Sequence, residues 1–167
     1  MFDKYAISVC RIEPENNIHV ILEAFAEGPM PLMVVGNWEY SVYGRDLRAR
    51  YGKNPNLAML GPIYDHEKLN ELRRRCMFYV HGHSCGGTNP SLVEAMYLGL
   101  PIAAFDVNFN RETTEDQALY FRDAAGLRQI AAETDAAKLR EVAAAMKAIA
   151  ERRYTWSRIA ELYAALL

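Results

Sequence analysis

Between His81 and Met96 the chain reads His-Gly-His-Ser-Cys-Gly-Gly-Thr-Asn-Pro-Ser-Leu-Val-Glu-Ala-Met, the stretch whose residue types best suit ligand chemistry. Gly86 and Gly87 follow an apolar run ending at Val80, and adjacent glycines there let backbone N–H groups turn outward and approach a ligand closely. Asn89 is placed to cap a helix beginning at Pro90, the first helical position, where a missing N–H costs nothing. The unpaired N–H groups and positive dipole end of such a helix favour a phosphate. A tight strand-to-helix connection uses the same residues, so the spacing alone leaves both readings open. Glu94 also has two readings. Ser91-x-x-Glu94 matches a capping box. With Pro90 opening the helix, however, Glu94 falls in the second turn, where a carboxylate near the same mouth could accept two hydroxyl hydrogen bonds from a ribose.

His81 and His83 alternate along an extended segment, an arrangement that invites a metal. No Cys, Asp or Glu follows at ligand spacing, and zinc takes three or four protein ligands, so no metal is expected. His81 reads as a polar strand end. His83 enters the glycine turn and is the better candidate for touching a ligand. Gly61-Pro62-Ile63 is an ordinary turn taken alone. Arg73-Arg74-Arg75 closes a helix, where basic residues suit the dipole, and is expected to be a solvated helix end. The three cysteines, Cys10, Cys76 and Cys85, are odd in number and scattered. Two lie in apolar runs, where a thiol acts as a small hydrophobe, and a reducing, cytoplasmic location is expected.

These residues need elements to position them. Apolar runs at Tyr5 to Val9, Pro31 to Val35, Asn56 to Leu60, Cys76 to Val80, Pro101 to Phe105 and Ala118 to Phe121 read as buried parallel strands. Helical spacing appears between them: at Ile18, Ile21, Leu22 and Phe25, from Tyr43 to Tyr51, from an Asp65 cap to Arg75, and from Pro90 to a Gly99 stop. From Leu127 onward the chain is rich in alanine, leucine and charge. Strands alternating with helices predict an α/β fold, a parallel sheet of about six strands with helices on both faces. No repeat or linker divides residues 1–167, so one domain is expected. In open sheets of this kind ligands bind beyond the carboxyl ends of the strands. Arg11 to Asn17, Gly61 to His66 and Gly82 to Glu94 all fall there.

With 51% hydrophobic and 24% charged residues the composition is that of a globular protein, and a net charge of −2 excludes the basic footprint of a nucleic-acid binder. No run is long enough to cross a bilayer, and Met1 to Lys4 lead into an apolar strand without the layout of a signal peptide. Ala6 to Arg11 contain no Gly-x-Gly-x-x-Gly, which argues against a nicotinamide-dependent oxidoreductase.

The order of strand, glycine turn, Pro-Ser-Leu-Val-Glu94-Ala-Met and Gly99-Leu100-Pro101-Ile102-Ala103 resembles the donor-binding motif of GT-B glycosyltransferases of family 4. Arg11, Leu60-Gly61 and Trp156 fit the same pattern. The resemblance runs along nearly the whole chain but covers only the C-terminal, Rossmann-like half of such enzymes. The wording around Cys10 to Asn17 and His81 to Leu92 is similar to that of bacterial rhamnosyltransferases of surface polysaccharide synthesis.

The resemblance implies a retaining hexosyltransferase that takes a nucleoside-diphosphate sugar (dTDP-rhamnose for the subgroup) and needs no other cofactor. It implies that the N-terminal acceptor domain, or a partner chain, is missing, and that the isolated chain binds nucleotide without transferring sugar. Peripheral membrane association would belong to the full protein. Arg11 matches a phosphate-binding arginine, Glu94 a ribose ligand and Ile63 a nucleobase contact, while Gly86, Gly87 and Ser91 would cradle the diphosphate. The sequence departs from the family pattern twice. Gly86 stands where the first of two glutamates holds the donor sugar, and Thr88, Asn89 or His83 are candidates to replace it. Asn16 or Asn17 stands where a second cation, a lysine, is usual. Glu112 resembles an acidic residue after the fifth strand, with helix capping or solvation as the other reading. The tail from Asp135 is expected to pack on the sheet, and Trp156 to anchor the last helix in the core. No catalytic nucleophile or base can be named. The competing expectation is a non-catalytic nucleotide- or anion-binding module that pairs with a partner chain.

Overall fold

Six short apolar runs become strands because helices cover both of their faces. The computed structural model describes residues 4–165; Met1 to Asp3, the lead-in considered above, lie outside the described residues. In chain order the elements are β1 (Ala6–Val9), a 3-10 turn (Pro14–Asn16), α1 (Ile18–Ala26), β2 (Leu32–Val35), α2 (Val42–Tyr51), β3 (Leu57–Leu60) and α3 (His66–Arg75). There follow β4 (Phe78–His81), α4 (Pro90–Tyr97), β5 (Ile102–Phe105), α5 (Asn108–Thr114), β6 (Leu119–Phe121), α6 (Ala124–Glu133), α7 (Ala136–Arg153) and α8 (Trp156–Ala164). The strands form one sheet in the order β3-β2-β1-β4-β5-β6, parallel throughout. The expected α/β sheet with six strands is therefore present. The short helix α5 was not anticipated, because Asn108-Phe109-Asn110-Arg111-Glu112-Thr113-Thr114 has low helix propensity and no apolar stripe.

Alternation along each strand sends neighbouring side chains to opposite faces. Ala6, Val34, Phe78, Val80 and Ala103 point to one face, where Ile21, Leu22 and Phe25 of α1 and Leu127 of α6 cover them. Ile7, Met33, Val35, Tyr79, Ile102 and Ala104 point to the other, beneath Leu69 of α3, Leu92 and Met96 of α4, and Val142, Met146 and Ile149 of α7. Burying a large aliphatic side chain contributes roughly 1.5–3 kcal/mol, so these two layers hold the sheet ends that carry the loops. The alanine-rich tail does pack here, through the spacing Leu139, Val142, Met146, Ile149 along α7.

Two terminators act as the sequence indicates. Asp65 Oδ1 accepts from the Glu67 and Lys68 N–H groups to start α3, and Gly99 leaves α4 with φ of 66°. Trp156 corrects an expectation: it is 86% exposed rather than buried. The chain breaks after α7 so that Tyr154, not Trp156, meets the core, with the Tyr154 hydroxyl donating to the Thr113 carbonyl at 3.2 Å. Among the described residues no helix is long and apolar enough to cross a membrane.

Candidate functional site

The sheet reverses its direction of growth between β1 and β4, and a cleft of about 590 Å³ opens at the carboxyl ends of these strands. Its floor is Val9 and Val35. One wall comes from Arg11 and Glu13 after β1, from Tyr40 after β2, and from Pro62, Ile63 and Tyr64 after β3. Leu69 and Arg73 of α3 continue it, and His83, Asn89, Ser91 and Glu94 form the opposite wall. Parallel strands end with their loops on one edge, which is why residues far apart in sequence converge here.

The loop after β1 is locked to the turn after β4. Asn16 is 1% exposed, and its side-chain amide donates to the Arg11 carbonyl at 2.7 Å. Asn17 adopts φ of 50° and donates to the Gly82 carbonyl at 2.9 Å. The Ser84 N–H and hydroxyl both donate to the Glu15 carbonyl, at 2.8 and 2.9 Å. Gly82 permits this approach, since a Cβ there would collide with the Asn16 carbonyl and press on Ile21 Cδ1. The two asparagines therefore shape the loop that presents Arg11, and their amides point to backbone rather than into the cleft. Arg11 itself is exposed and pairs with Glu13 at 3.2 Å.

On the opposite wall Asn89 caps α4: its Oδ1 accepts from the Ser91 N–H at 3.0 Å and from the Ser91 hydroxyl at 2.8 Å. Asn89 thus performs the capping, and Glu94 is directed elsewhere. Glu94 Oε2 accepts from Arg73 Nη2 at 2.8 Å, and the carboxylate stays half-exposed at the cleft. This corrects the expectation for the arginine cluster. Arg73 is 3% exposed, while Arg75 is a surface residue paired with Glu71 at 2.7 Å. The signal was available, because Leu69 and Arg73 are four residues apart and share the inward face of α3.

His83 is buried in the wall, its ring stacked on His81 with centroids 4.3 Å apart and planes 8° from parallel. Burial, helped by the nearby Arg11 charge, pulls its pKa down to about 4, so the ring is neutral at pH 7. Burial and then His83 depress His81 as well. Asn110 of α5 donates to the His83 carbonyl at 2.9 Å and fixes the strand exit. No group of three or more His, Cys, Asp or Glu side chains that could hold a metal occurs among the described residues.

The cleft thus gathers Arg11, Ile63, His83, Asn89, Ser91 and Glu94. Gly86, with φ of 106°, and Gly87 sit on the exposed turn between His83 and Asn89, outside the cleft lining, with open space around them. Thr88 turns away, its hydroxyl 3.3 Å from that of Thr113, toward a separate hollow beside Arg152 and Arg153. Glu112 lies at the surface, 3.4 Å from Arg153, outside the cleft. Tyr40 and Tyr64 are cleft residues that sequence reasoning did not single out, and Arg73 is one that it assigned to solvent.

A family model described as "Glycosyl transferases group 1" matches residues 2–151. No curated protein matches the chain significantly. Among solved structures, HepE (Alr3699) of Anabaena in complex with UDP-glucose is similar at a TM-score of 0.81 and 22% identity, over 96% of this chain and 48% of that one. Sucrose-phosphate synthase of Thermosynechococcus elongatus has a TM-score of 0.80 and 22% identity, over 98% and 45%. The pneumococcal O-GlcNAc transferase GtfA, in complex with UDP and GlcNAc, has a TM-score of 0.73 and 18% identity, over 96% and 35%. The chain therefore spans about half the length of the first of these, and its sheet matches one Rossmann-like half of a GT-B fold.

Proposed function

The chain belongs to the group 1 glycosyltransferase family, and from that premise we propose that it is the donor half of a retaining glycosyltransferase, binding a nucleoside-diphosphate sugar in the β1/β4 cleft. One observation carries this reading. A cation (Arg11), a capped helix N-terminus (Asn89 to Ser91) and a half-exposed carboxylate (Glu94) line a single cleft of nucleotide size.

The diphosphate would lie against the N-terminus of α4 and the Gly86-Gly87 turn, with Arg11 opposite. Negative charge grows on the departing diphosphate as the glycosidic bond breaks, and donors already fixed there stabilise it without reorganisation. Glu94 would take the ribose hydroxyls, of which a dTDP donor, being 2′-deoxy, offers only the 3′-hydroxyl. Ile63 and its loop would take the base. His83, neutral and buried, is suited to donate a hydrogen bond near the phosphate–sugar junction, where Gly86 supplies no carboxylate. The acceptor would be held by a second domain or partner chain that completes the cleft, with residues 1–167 forming one domain. The wording of the His81 to Leu92 segment supports dTDP-rhamnose as donor and surface polysaccharide synthesis at the cytoplasmic side as the setting, with no metal required.

Titration with UDP, dTDP and GDP sugars, followed by amide chemical shifts, tests the site. Shifts are expected at Arg11, Ile63, Gly86 to Ser91 and Glu94. Glu94→Ala should weaken binding about tenfold or more, the worth of hydrogen bonds to a charged acceptor. An unchanged affinity would remove the ribose assignment, and sugar transfer by this chain alone would contradict its being half of the site.

A further inference from the structure

We infer that Arg73 is a positioning residue of the donor site: it holds the Glu94 carboxylate in the orientation that recognises the vicinal hydroxyls of the nucleotide ribose. The inference rests on the donor-site reading above and deepens it.

The pair is asymmetric. Arg73 is almost wholly buried, whereas the Glu94 side chain is half-exposed and faces the cleft. A single bond joins Nη2 to Oε2 at 2.8 Å, and Oε1 and one lone pair of Oε2 keep their accepting capacity on a side chain that lines the cleft. Two adjacent hydroxyl donors match that remaining capacity.

Packing alone does not account for an arginine at this position. Nη1 has only a long contact to Asn70 Oδ1 at 3.4 Å, and Nε is buried with no partner. A guanidinium so incompletely bonded carries an uncompensated desolvation cost. Replacing buried ion pairs with apolar residues of similar volume is often neutral or stabilising. Leu69, one turn earlier on the same face, shows that an apolar side chain is accommodated beside it. What arginine adds is a fixed charged donor behind a carboxylate whose χ angles are otherwise free to rotate into solvent. Glu94 sits in the second turn of α4, so no capping bond restrains it.

Ribose discrimination in the 167-residue chain tests this. The probes are UDP and GDP, each against its 2′,3′-dideoxy analogue, with Kd measured calorimetrically. The wild type is expected to prefer the hydroxylated member about tenfold or more, as charge-assisted hydrogen bonds provide, and Glu94→Ala to abolish that preference. Arg73→Met should reduce the preference to within about twofold of Glu94→Ala while leaving the affinity for the dideoxy analogues nearly unchanged. The double variant should lose no more than Glu94→Ala alone. Arg73→Lys, which keeps the charge but not the planar fork, should retain an intermediate preference, and it serves if the methionine variant does not fold.

Equal weakening of both members of a pair, with the preference intact, would make Arg73 a structural residue and overturn the inference. So would a wild-type preference in both arginine variants. If Glu94→Ala itself keeps the full preference, the ribose assignment fails first and takes this inference with it.

Discussion

Replacing Asn110 by aspartate exchanges an NH2 group for an oxygen at constant size, and so isolates what its amide does. Asn110 is fully buried at the start of α5. Its Nδ2 donates at 2.9 Å to the Phe105 carbonyl at the end of β5, and at 2.9 Å to the His83 carbonyl beyond β4. It therefore ties together the exits of two neighbouring strands beside the cleft. Leaving a buried carbonyl unpaired costs about 1–3 kcal/mol. Asn110→Ala strands two of them, which places the loss at about 2–4 kcal/mol once partial access of water to the Phe105 carbonyl is allowed for. That is a large part of a typical domain stability of about 5–15 kcal/mol. Asn110→Asp should lose at least as much at neutral pH, because a carboxylate would face two carbonyl oxygens. Burial and those oxygens raise its pKa above that of the unfolded chain. Its relative stability is then better at low pH and declines as the pH rises through the folded-state value. Urea unfolding at about pH 7.5 and pH 5 reads this as a lower midpoint with an unchanged slope. An alanine variant within about 0.5 kcal/mol of wild type, or an aspartate variant as stable as wild type at the higher pH, would refute the assignment.

Gly82→Ala should destabilise the chain by about 1–3 kcal/mol, the usual cost of overpacking, because its methyl would drive against the Asn16 carbonyl. A thermal midpoint unmoved by this substitution would mean that the β1 and β4 loops do not meet as described. His83 loses its proton at about 4 against an ordinary 6.5. Between those values the unfolded chain binds a proton that the folded chain does not, so stability should fall as the pH drops from about 7.5 to about 5.5. His83→Gln should flatten that decline, with His81 supplying the part that remains; identical slopes in variant and wild type would contradict a buried neutral His83.

The parallel sheet was legible because each strand is a short apolar run closed by glycine, proline or a polar turn. The convergence of Arg11, Asn89 and Glu94 was legible because parallel strands place their loops on one edge. Strand order was not, since nothing local in Phe78 to His81 says that it pairs with β1 instead of β3. The roles of Asn16 and Asn17 were hidden for a similar reason: their partners, the Arg11 and Gly82 carbonyls, are brought close only by the tertiary fold. Arg73 was masked by its company. Three consecutive arginines look solvated, although helical periodicity turns only two of them outward. Trp156 misled in the opposite direction, since a large aromatic near a helix start reads as an anchor unless the preceding break is known to have inserted Tyr154 instead.

The junction between β1 and β4 has a consequence for how the molecule holds together. There the ladder joins only Ala6 to Phe78 and Ile7 to Tyr79, whereas β1 and β2 are matched over four residues. The Tyr79 hydroxyl donates to the Val9 carbonyl at 2.9 Å and the Met77 N–H to the Tyr5 carbonyl at 2.8 Å. Beyond the strand ends the Asn17 and Ser84 bonds add to these ties. The sheet can thus be divided at its shortest ladder into two three-stranded plates, and the cleft opens directly above that line. The first plate is laid down by consecutive strands, while β4 must return past β2 and β3 to dock against β1. A molecule gripped by Arg11 on one plate and by Asn89 to Ser91 on the other would lie across that line like a splint. Filling the cleft would then slow the separation of the plates, and amide exchange in β1 and β4 should fall together when it does.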